Sequence, residues 1–581
     1  MSVILGINAF HADSAACLLI DGKLVGAVAE ERLGYRIKHD AAFPVKAINF
    51  LLSSAGVRLR DVEHVAIARD THANLLAKVS YAISHPMQSA FAVWEHLNRS
   101  KVTADVLGNL AEICDEDPKL SRYKIIEVEH HLAHIASAYY VSPFDSLTAG
   151  FSYDGSGDFV SMMAAKCYDS SIKILDKVVL PNSLGFFYTA LCQFIGFEKF
   201  GEEYKVMGLA PYGEDHYRDQ MQKLIDLNPN AWFSLNPKYF KMHDGGKSGK
   251  VNQEGQIQAD CIYSDKLQVL LGSPRDRNNP ITQREMDIAK STQVRFEEIA
   301  VGCLRRLHEQ VQTDQLVMAG GCALNGVTNA RILRDTPFKK QYLQPASSDD
   351  GTCIGAAFHV WHQVLGKSER FSMQHSFWGP QYSDQTLFSV AKKSPYQLTI
   401  CYSDQQLADE ASSLINAGLV VGWYQGRSEW GPRSLGNRSI LAHPGIPTMK
   451  DTINQKIKRR ESFRPFAPSV LKEDVNLFFE QEIDSPFMMH VVKIRQKWRA
   501  KLSAVTHVDG TGRVQTVDQA SNPLFHQLIS AFKKQSGIGM VLNTSFNENE
   551  PVVDTPEQAY DCFARTDMDA LCLGRYILRK G

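Results

Sequence analysis

This chain lacks the usual marks of a membrane, nucleic-acid or secreted protein. Among 581 residues, 63 basic side chains face 64 acidic ones, leaving a formal net charge of −1. It therefore has no global field to draw it to RNA, DNA or an anionic membrane. No apolar run approaches the roughly 18 residues of a membrane helix. The first stretch, "MSVILGINAFHADSAACLLIDG", begins apolar but meets Asn8, His11 and Asp13 too early for a secretory leader. The 11 cysteines are scattered, with no CxxC pair, which reads as reduced thiols in a cytoplasmic protein. What remains is an ordinary globular composition, 44% hydrophobic and 22% charged. The length allows about three or four domain-sized units.

The first thirty residues read as strands: "VILGINAF", "SAACLLIDG" and "KLVGAVAEER", with Asp21-Gly22 as a hairpin turn. A second copy of the pattern starts near residue 147 with "LTAGFSYDGSGDFVSMMAAKCY". Two such units, each followed by helical stretches, predict a duplicated α/β domain. Turns rich in Gly, Ser and Asp, such as the one containing Gly155, can present backbone N–H groups to phosphates. "LVMAGGCALNGVTNARIL" and "QYLQPASSDDGTCIGAAFHVW" each read as strand, polar turn and helix. Gly320 and Gly321 there let a ligand approach the backbone closely. Residues 212–285 are polar and rich in Asn, Gly and Lys, and read as a loop-like elaboration or lid. Residues 366–385 carry no periodicity and read as a linker between a domain at 1–365 and a second α/β domain at 386–581.

Two constellations suggest chemistry. In "EHHLAHIASAYY", His130 and His134 are one helical turn apart, on one face. That spacing suits a metal pair, and equally a pair of packed histidines. The zinc-protease pattern needs Glu after the first His, where this chain has His131. In the second half, Arg427, Arg433, Arg438, Lys458, Arg459, Arg460, Arg464 and Arg513 are set among Gly, Pro, Trp and Phe. Guanidinium groups bind phosphate oxygens two at a time, so a phosphate-rich small ligand such as ATP would fit. Asn543, Thr544 and Ser545 follow an apolar strand and could complete such a pocket.

Several motifs carry a resemblance. "GRSEWGPRSLGNRSILAHP", "MKDTINQKIKRRESFRPFAPSVL" and "VLNTSFNENEPVVDTPEQAYDCF" closely resemble the O-carbamoyltransferases of antibiotic, toxin and nodulation-factor biosynthesis. "GINAFHADSAACLLIDG", "EHHLAHIASA", "YDGSGD", "GEEYKVMGLAPYG" and "PASSDDGTCIGAA" match the same family in the same order. The resemblance spans nearly the whole chain. It implies an N-terminal actin–hexokinase-like domain similar to the tRNA threonylcarbamoyl transferases. It also implies a C-terminal domain similar to the threonylcarbamoyl-adenylate synthases. The implied function is ATP-dependent: the C-terminal domain forms carbamoyl-adenylate from carbamoyl phosphate and ATP, with Mg(II). The N-terminal domain then passes the carbamoyl group to a hydroxyl and releases AMP.

Carried over by position, the resemblance implies metal ligands at His130, His134, Asp154 and Asp349, with iron(II) the expected ion. Asp349 is chosen over the adjacent Asp350 from the flanking Pro345 and Gly351. His11 falls on the general base, a role its ordinary pKa near 6.5 suits. Lys38, Gly155, Gly320, Gly321 and Asn325 fall on nucleotide or carbamoyl contacts. Arg433, Lys458, Arg464, Arg513, Asn543 and Ser545 fall on carbamoyl phosphate and ATP positions, while Arg459 and Arg460 read as surface charges. The acceptor, a small natural-product alcohol, stays open, as does a monomer or homodimer. Its pocket walls are expected from 80–120 and 212–285. The competing readings are a tRNA-modifying enzyme with the same two folds, which would need a basic surface, and a non-enzymatic actin-like nucleotide-binding protein.

Overall fold

The computed structural model describes residues 2–34, 36–85, 106, 108–110, 112–113, 123–229, 232–241, 250–251 and 257–581. They form two compact units, Met1–Met373 and Gln374–Gly581.

Unit 1 builds one topology twice. In its first sheet, β1 (Val3–Asn8), β2 (Ala15–Ile20) and β3 (Lys23–Ala29) form an antiparallel meander. The turn between β2 and β3 has positive φ at both Asp21 and Gly22, the geometry that matches strand twist in a tight hairpin. Strands β4 (His64–Ile67) and β5 (Lys124–Glu127) add in parallel beyond β1, giving the order β3-β2-β1-β4-β5. In the second sheet, β6 (Thr148–Gly157), β7 (Val160–Tyr168) and β8 (Ser171–Val179) are again an antiparallel meander. Strands β9 (Gln315–Ala319) and β10 (Lys340–Leu343) are again parallel additions, in the order β8-β7-β6-β9-β10. Every residue of β1 is buried, as expected of a strand covered on both faces, so its sequence is a near-continuous apolar run.

The fifth strand of each copy leads into a helix. After β5 comes α1 (His130–Tyr139), whose N-terminus is capped by the Glu129 side chain accepting Leu132 N–H. The long α2 (Gln283–Val311) starts from a Thr282–Glu285 capping box. It is followed by α3 (Gly326–Asp335) and, after β10, by α4 (Thr352–His359). Helices α1 and α4 pack against each other. They do so at backbone contact: a Cβ placed on Gly355 would lie 1.7 Å from the Ala133 carbonyl oxygen.

Unit 2 is a nine-stranded mixed sheet. Its strands are β11 (Gln397–Ile400), β12 (Val421–Tyr424), β13 (Arg438–Ala442), β14 (Ala467–Leu471) and β15 (His490–Lys493). They continue with β16 (Thr511–Val517), β17 (Met540–Ser545), β18 (Ala570–Leu573) and β19 (Tyr576–Arg579). The order is β11-β19-β18-β12-β13-β17-β14-β16-β15. Helices α5 (Asp404–Asn416) and α6 (Pro523–Ser536) close a core with Trp423, Leu441, Phe525 and Val541.

Two expectations change at this level. "PFMMHVV" becomes a strand only from His490, because Met488 adopts a positive φ that an extended run cannot contain. The 212–285 span is more ordered than its composition suggests. It holds a helix at Arg218–Leu224 and a hairpin pairing Ile225–Asn228 with Trp232–Leu235, with Trp232 buried. Residues 242–249 and 252–256, and most of 80–120, lie outside the described residues.

Gly355→Ala should destabilise the protein by about 1–3 kcal/mol, the usual cost of overpacking a close-packed contact. Its methyl meets a backbone carbonyl rather than a side chain that can swing aside. Thermal unfolding of wild type and variant checks this; an unchanged Tm would contradict the α1–α4 contact.

Candidate active sites

Helix α1 places His130 and His134 one turn apart with their Nε2 atoms 3.0 Å from each other. Two backbone devices fix the first ring. The Asp158 carboxylate accepts His130 N–H at 2.9 Å, and Gly157 leaves room, since a Cβ there would lie 2.0 Å from the His130 Cδ2. Asp154, near the end of β6, brings Oδ2 to 3.6 Å from His130 Nε2 and 3.3 Å from His134 Nε2. Asp349 Oδ1 is 3.5 Å from each imidazole. All four ligand atoms lie within 4.8 Å of one another. Around one ion with bonds of roughly 2.0–2.2 Å, neighbouring ligand atoms sit about 3–3.6 Å apart, so this donor set fits a divalent metal.

The electrostatics agree. Burial alone would raise the Asp349 carboxyl, but His11 and His130 beside it hold it well below the usual carboxylate range. Burial and Asp349 push the Asp154 pKa up, and hydrogen bonds from His130 and His134 bring it below its ordinary value. Burial works against a charged His134, yet Asp154 and Asp349 push it up to about 9. Two ionised carboxylates thus demand positive charge at this point, which a metal ion would supply. His131, between the two histidines, has a different job. Its Nδ1 meets Ser152 Oγ and its Nε2 the Val160 carbonyl, which bolts α1 to the second sheet.

His11 follows β1, and its Nδ1 contacts Asp349 Oδ2. Burial lowers its pKa, but the Asp349 carboxylate outweighs this and raises it. Asp349 therefore has one oxygen on His11 and the other facing the histidine pair. Asp350 turns elsewhere: its Oδ1 accepts the Gly351 N–H, and burial with Asp13 and Glu31 nearby raises its pKa well above the carboxylate range. Of the two adjacent acids, Asp349 is the one grouped with His130, His134 and Asp154.

Lys38 is exposed. Its neighbour His39 turns inward, with Nδ1 2.7 Å from Asp13 Oδ1, and neither His39 nor Asp13 was singled out by sequence reasoning. Gly321 abuts the His–Asp group, since a Cβ there would lie 2.9 Å from Asp154 Oδ1 and 4.0 Å from Ser348 Oγ, whereas Gly320 packs on the Tyr153 backbone, its Cβ position 2.2 Å from that carbonyl oxygen. Gly155 N–H bonds the Asp154 carboxylate at 2.7 Å. Asn325 is drawn into the frame instead. Its Oδ1 caps α3 at Thr328 N–H, and its amide exchanges hydrogen bonds with Gln293.

The duplication explains the convergence. His130 and His134 sit on the helix after strand five of the first copy, and Asp349 leads into the helix after strand five of the second. His11 follows strand one of the first copy, and Asp154 lies on strand one of the second. Equivalent positions of two related halves supply all five residues.

In unit 2 the candidate residues form adjoining groups. Arg513 and Gln515 alternate onto one face of β16, and Asn543 and Ser545 onto one face of β17. Asn543 Nδ2 donates to the Ser434 carbonyl, Ser469 Oγ and Gln515 Oε1, while its buried Oδ1 has no partner. Lys458 is buried, its Nζ donating to Ser545 and Asn547 oxygens. Arg464 pairs with Glu461 at 2.6 Å. Burial drives the Arg513 pKa well below its ordinary value, and Arg433 and Arg460 add to the effect. Arg433 and Arg460 thus lie near enough to Arg513 to act on its charge. Arg460, read as a surface charge, is half-buried, with its guanidinium 4.8 Å over the Phe466 ring and near enough to Arg513 to lower its pKa. Arg459 is exposed and pairs with Glu548.

Among the described residues, no helix is long and apolar enough to cross a membrane. Two family models cover most of the chain: Carbamoyltransferase N-terminus over residues 3–358 and Carbamoyltransferase C-terminus over residues 412–580. The Synechocystis protein sll1178 is 38% identical over all of this chain and 97% of its own length. Nodulation protein NolNO of Sinorhizobium fredii is 36% identical over 99% of this chain and 80% of its own. The 3'-hydroxymethylcephem-O-carbamoyltransferase of Amycolatopsis lactamdurans is 36% identical over 42% of this chain and 44% of its own. The chain belongs to the carbamoyltransferase family and is a transferase enzyme.

Proposed function

We propose that the protein is an ATP-dependent O-carbamoyltransferase that works in two steps. The observation that carries this reading is the Asp349 carboxylate, held between His11 and the His130–His134 pair. The gathering of Arg433 and Arg460 near Arg513 in unit 2 supports it. In unit 2, Arg433, Arg464, Arg513 and Lys458 bind the phosphates of carbamoyl phosphate and ATP, and Asn543 and Ser545 orient the carbamoyl end. Water splits carbamoyl phosphate into carbamate and phosphate, and a carbamate oxygen attacks the ATP α-phosphorus, forming carbamoyl-adenylate as pyrophosphate leaves. Unit 1, an actin–hexokinase-like fold in this reading, receives the adenylate against Gly155, Gly320 and Gly321, with Lys38 at the rim. His11 accepts the proton of an acceptor hydroxyl as it attacks the carbamoyl carbon, and AMP leaves. His130, His134, Asp154 and Asp349 would hold a divalent ion, iron(II) by donor type, which when bound supplies Lewis-acid polarisation of the carbamoyl oxygen. The acceptor is a small natural-product alcohol, in keeping with the activity for which the cephem relative is named.

The metal assignment is tested by His134→Ala and Asp154→Ala. Each should lose bound iron, measured by elemental analysis after anaerobic purification with iron(II), and each should lose transfer. Full occupancy in His134→Ala would overturn the ligand set.

His11→Ala should keep adenylate formation and slow transfer by about 10²–10⁴-fold, the usual contribution of a positioned general base. Rates with chemically supplied carbamoyl-adenylate check it, and an unchanged rate would remove His11 from the chemistry.

The two steps should also separate by residue. Arg513→Ala should abolish carbamoyl-phosphate-dependent ATP–pyrophosphate exchange, having lost charge-assisted hydrogen bonds of roughly 1.5–3 kcal/mol each. It should still transfer from supplied carbamoyl-adenylate, while His134→Ala does the reverse. Failure of a folded Arg513→Ala in the supplied-intermediate assay would sink the division of labour.

A further inference from the structure

Two loops of unit 1 face each other across the site, residues 9–13 after β1 and 345–350 after β10. Two rungs join them. The first is His11 Nδ1 on Asp349 Oδ2. The second is Ser348 Oγ–H donating to Asp13 Oδ2 at 2.6 Å. Asp13 and Ser348 take no part in the proposed chemistry, yet the second rung is built with unusual care.

Asp13 and His39 are both non-glycine residues in the left-handed region, each with φ 58°. Such conformations persist only where the surroundings over-determine them, and they cluster at functional sites. Here the surroundings are visible. His39 Nδ1–H donates to Asp13 Oδ1 at 2.7 Å, so the Asp13 carboxylate serves Ser348 with one oxygen and His39 with the other. The His39 backbone N–H donates to Glu31 at 3.0 Å. The Phe200 ring meets the imidazole edge-on, with centroids 5.3 Å apart. Gly201 lies close against the ring, since a Cβ there would fall 2.0 Å from His39 Nε2. Asn8 Nδ2 holds the first loop through the carbonyls of Ala12 and Asp13, and Ser14 N–H reaches the Asp40 carbonyl. Burial works against a charged His39, but Asp13, with Glu31 and Glu203 behind it, pushes its pKa up to about 9. The ring is therefore an imidazolium at neutral pH, and its bond to Asp13 is charge-assisted.

We propose that Asp13 and His39 are a positioning pair: they clamp Ser348, and through it set the backbone of Asp349 at the register where one carboxylate oxygen meets His11 and the other faces His130 and His134. The pair touches neither ligand nor reacting atom. It acts by fixing the loop from which Asp349 projects, as outer-shell partners of metal ligands do. This inference rests on the metal reading of the His–Asp group for its first test and is independent of it for its second.

The first test titrates cobalt(II) into metal-free protein and follows its visible absorption, which reports ligand geometry. Asp13→Ala and His39→Ala should weaken cobalt binding by about 10–100-fold, the usual effect of removing an outer-shell partner, and alter the band shape. His39→Gln, which keeps an N–H donor, should recover part of the loss. The Asp13→Ala/His39→Ala double variant should be no worse than Asp13→Ala, because the two act in one chain. The second test is hydrogen exchange of metal-free protein. In Asp13→Ala, peptides covering 345–351 should exchange faster, while α1 peptides stay as in wild type. If wild type binds no cobalt, the metal reading fails and hydrogen exchange still decides the clamp. Unchanged cobalt spectra and affinity, or unchanged exchange at 345–351, in folded Asp13→Ala would overturn the proposal, even if Tm falls.

Discussion

The Asp349 carboxylate meets His11 through Oδ2 and faces His130 and His134 at 3.5 Å through Oδ1. On the proposed function, the proton-accepting and metal-holding parts of unit 1 therefore share one group. Their separation is not adjustable: moving one moves the other. A buried carboxylate left without positive partners would be costly, so each of its neighbours must be held with equal care. The Glu129 cap, the Asp158 acceptor, the bond from Ser348 to Asp13 and the missing Cβ atoms of Gly157 and Gly355 all serve that requirement.

Duplication makes such a shared group attainable. Each half of unit 1 alone carries an incomplete site: two imidazoles and a base in the first, two carboxylates in the second. The α1–α4 contact brings the ends of the two fifth strands together, and the shortest route between them leaves no room for a side chain at Gly355. Charge separates by half as well. The first copy supplies the histidines and the second the acids, so neither half buries an unpaired set of its own kind once the halves meet.

Much of this was legible in the sequence, because it depends on periodicity and turn chemistry. The i, i+4 histidines, the repeated strand–turn–strand units and the Asp21-Gly22 hairpin are local features. What was not legible depends on which way a side chain points. Asp349 and Asp350 are chemically identical neighbours, and only the 3₁₀ turn at Asp349–Gly351 aims one at the histidines. Lys38 came from the resemblance alone. The contact of the neighbouring His39 with Asp13 depends on a left-handed backbone that spacing does not reveal. Asn325 sits in a glycine-rich turn typical of ligand sites, but an Asn just before a helix is also a good N-cap, and that role won. Arg460 read as surface charge because it lies in a run of cations, and Phe466 beneath it was invisible from spacing alone.

The two units arrange charge differently. In unit 1, His11, His130 and His134 each have a carboxylate within reach. In unit 2, Arg433 and Arg460 lie near enough to Arg513 to depress its pKa. Lys458 adds a buried amino group that donates to oxygens of Ser545 and Asn547. Gathering cations in a protein interior costs free energy, and a bound polyanion offsets that cost. The proposed function accordingly gives carbamoyl phosphate and ATP to the arginines of unit 2. It gives the adenylate, which has shed pyrophosphate and with it negative charge, to the mixed histidine–carboxylate group of unit 1.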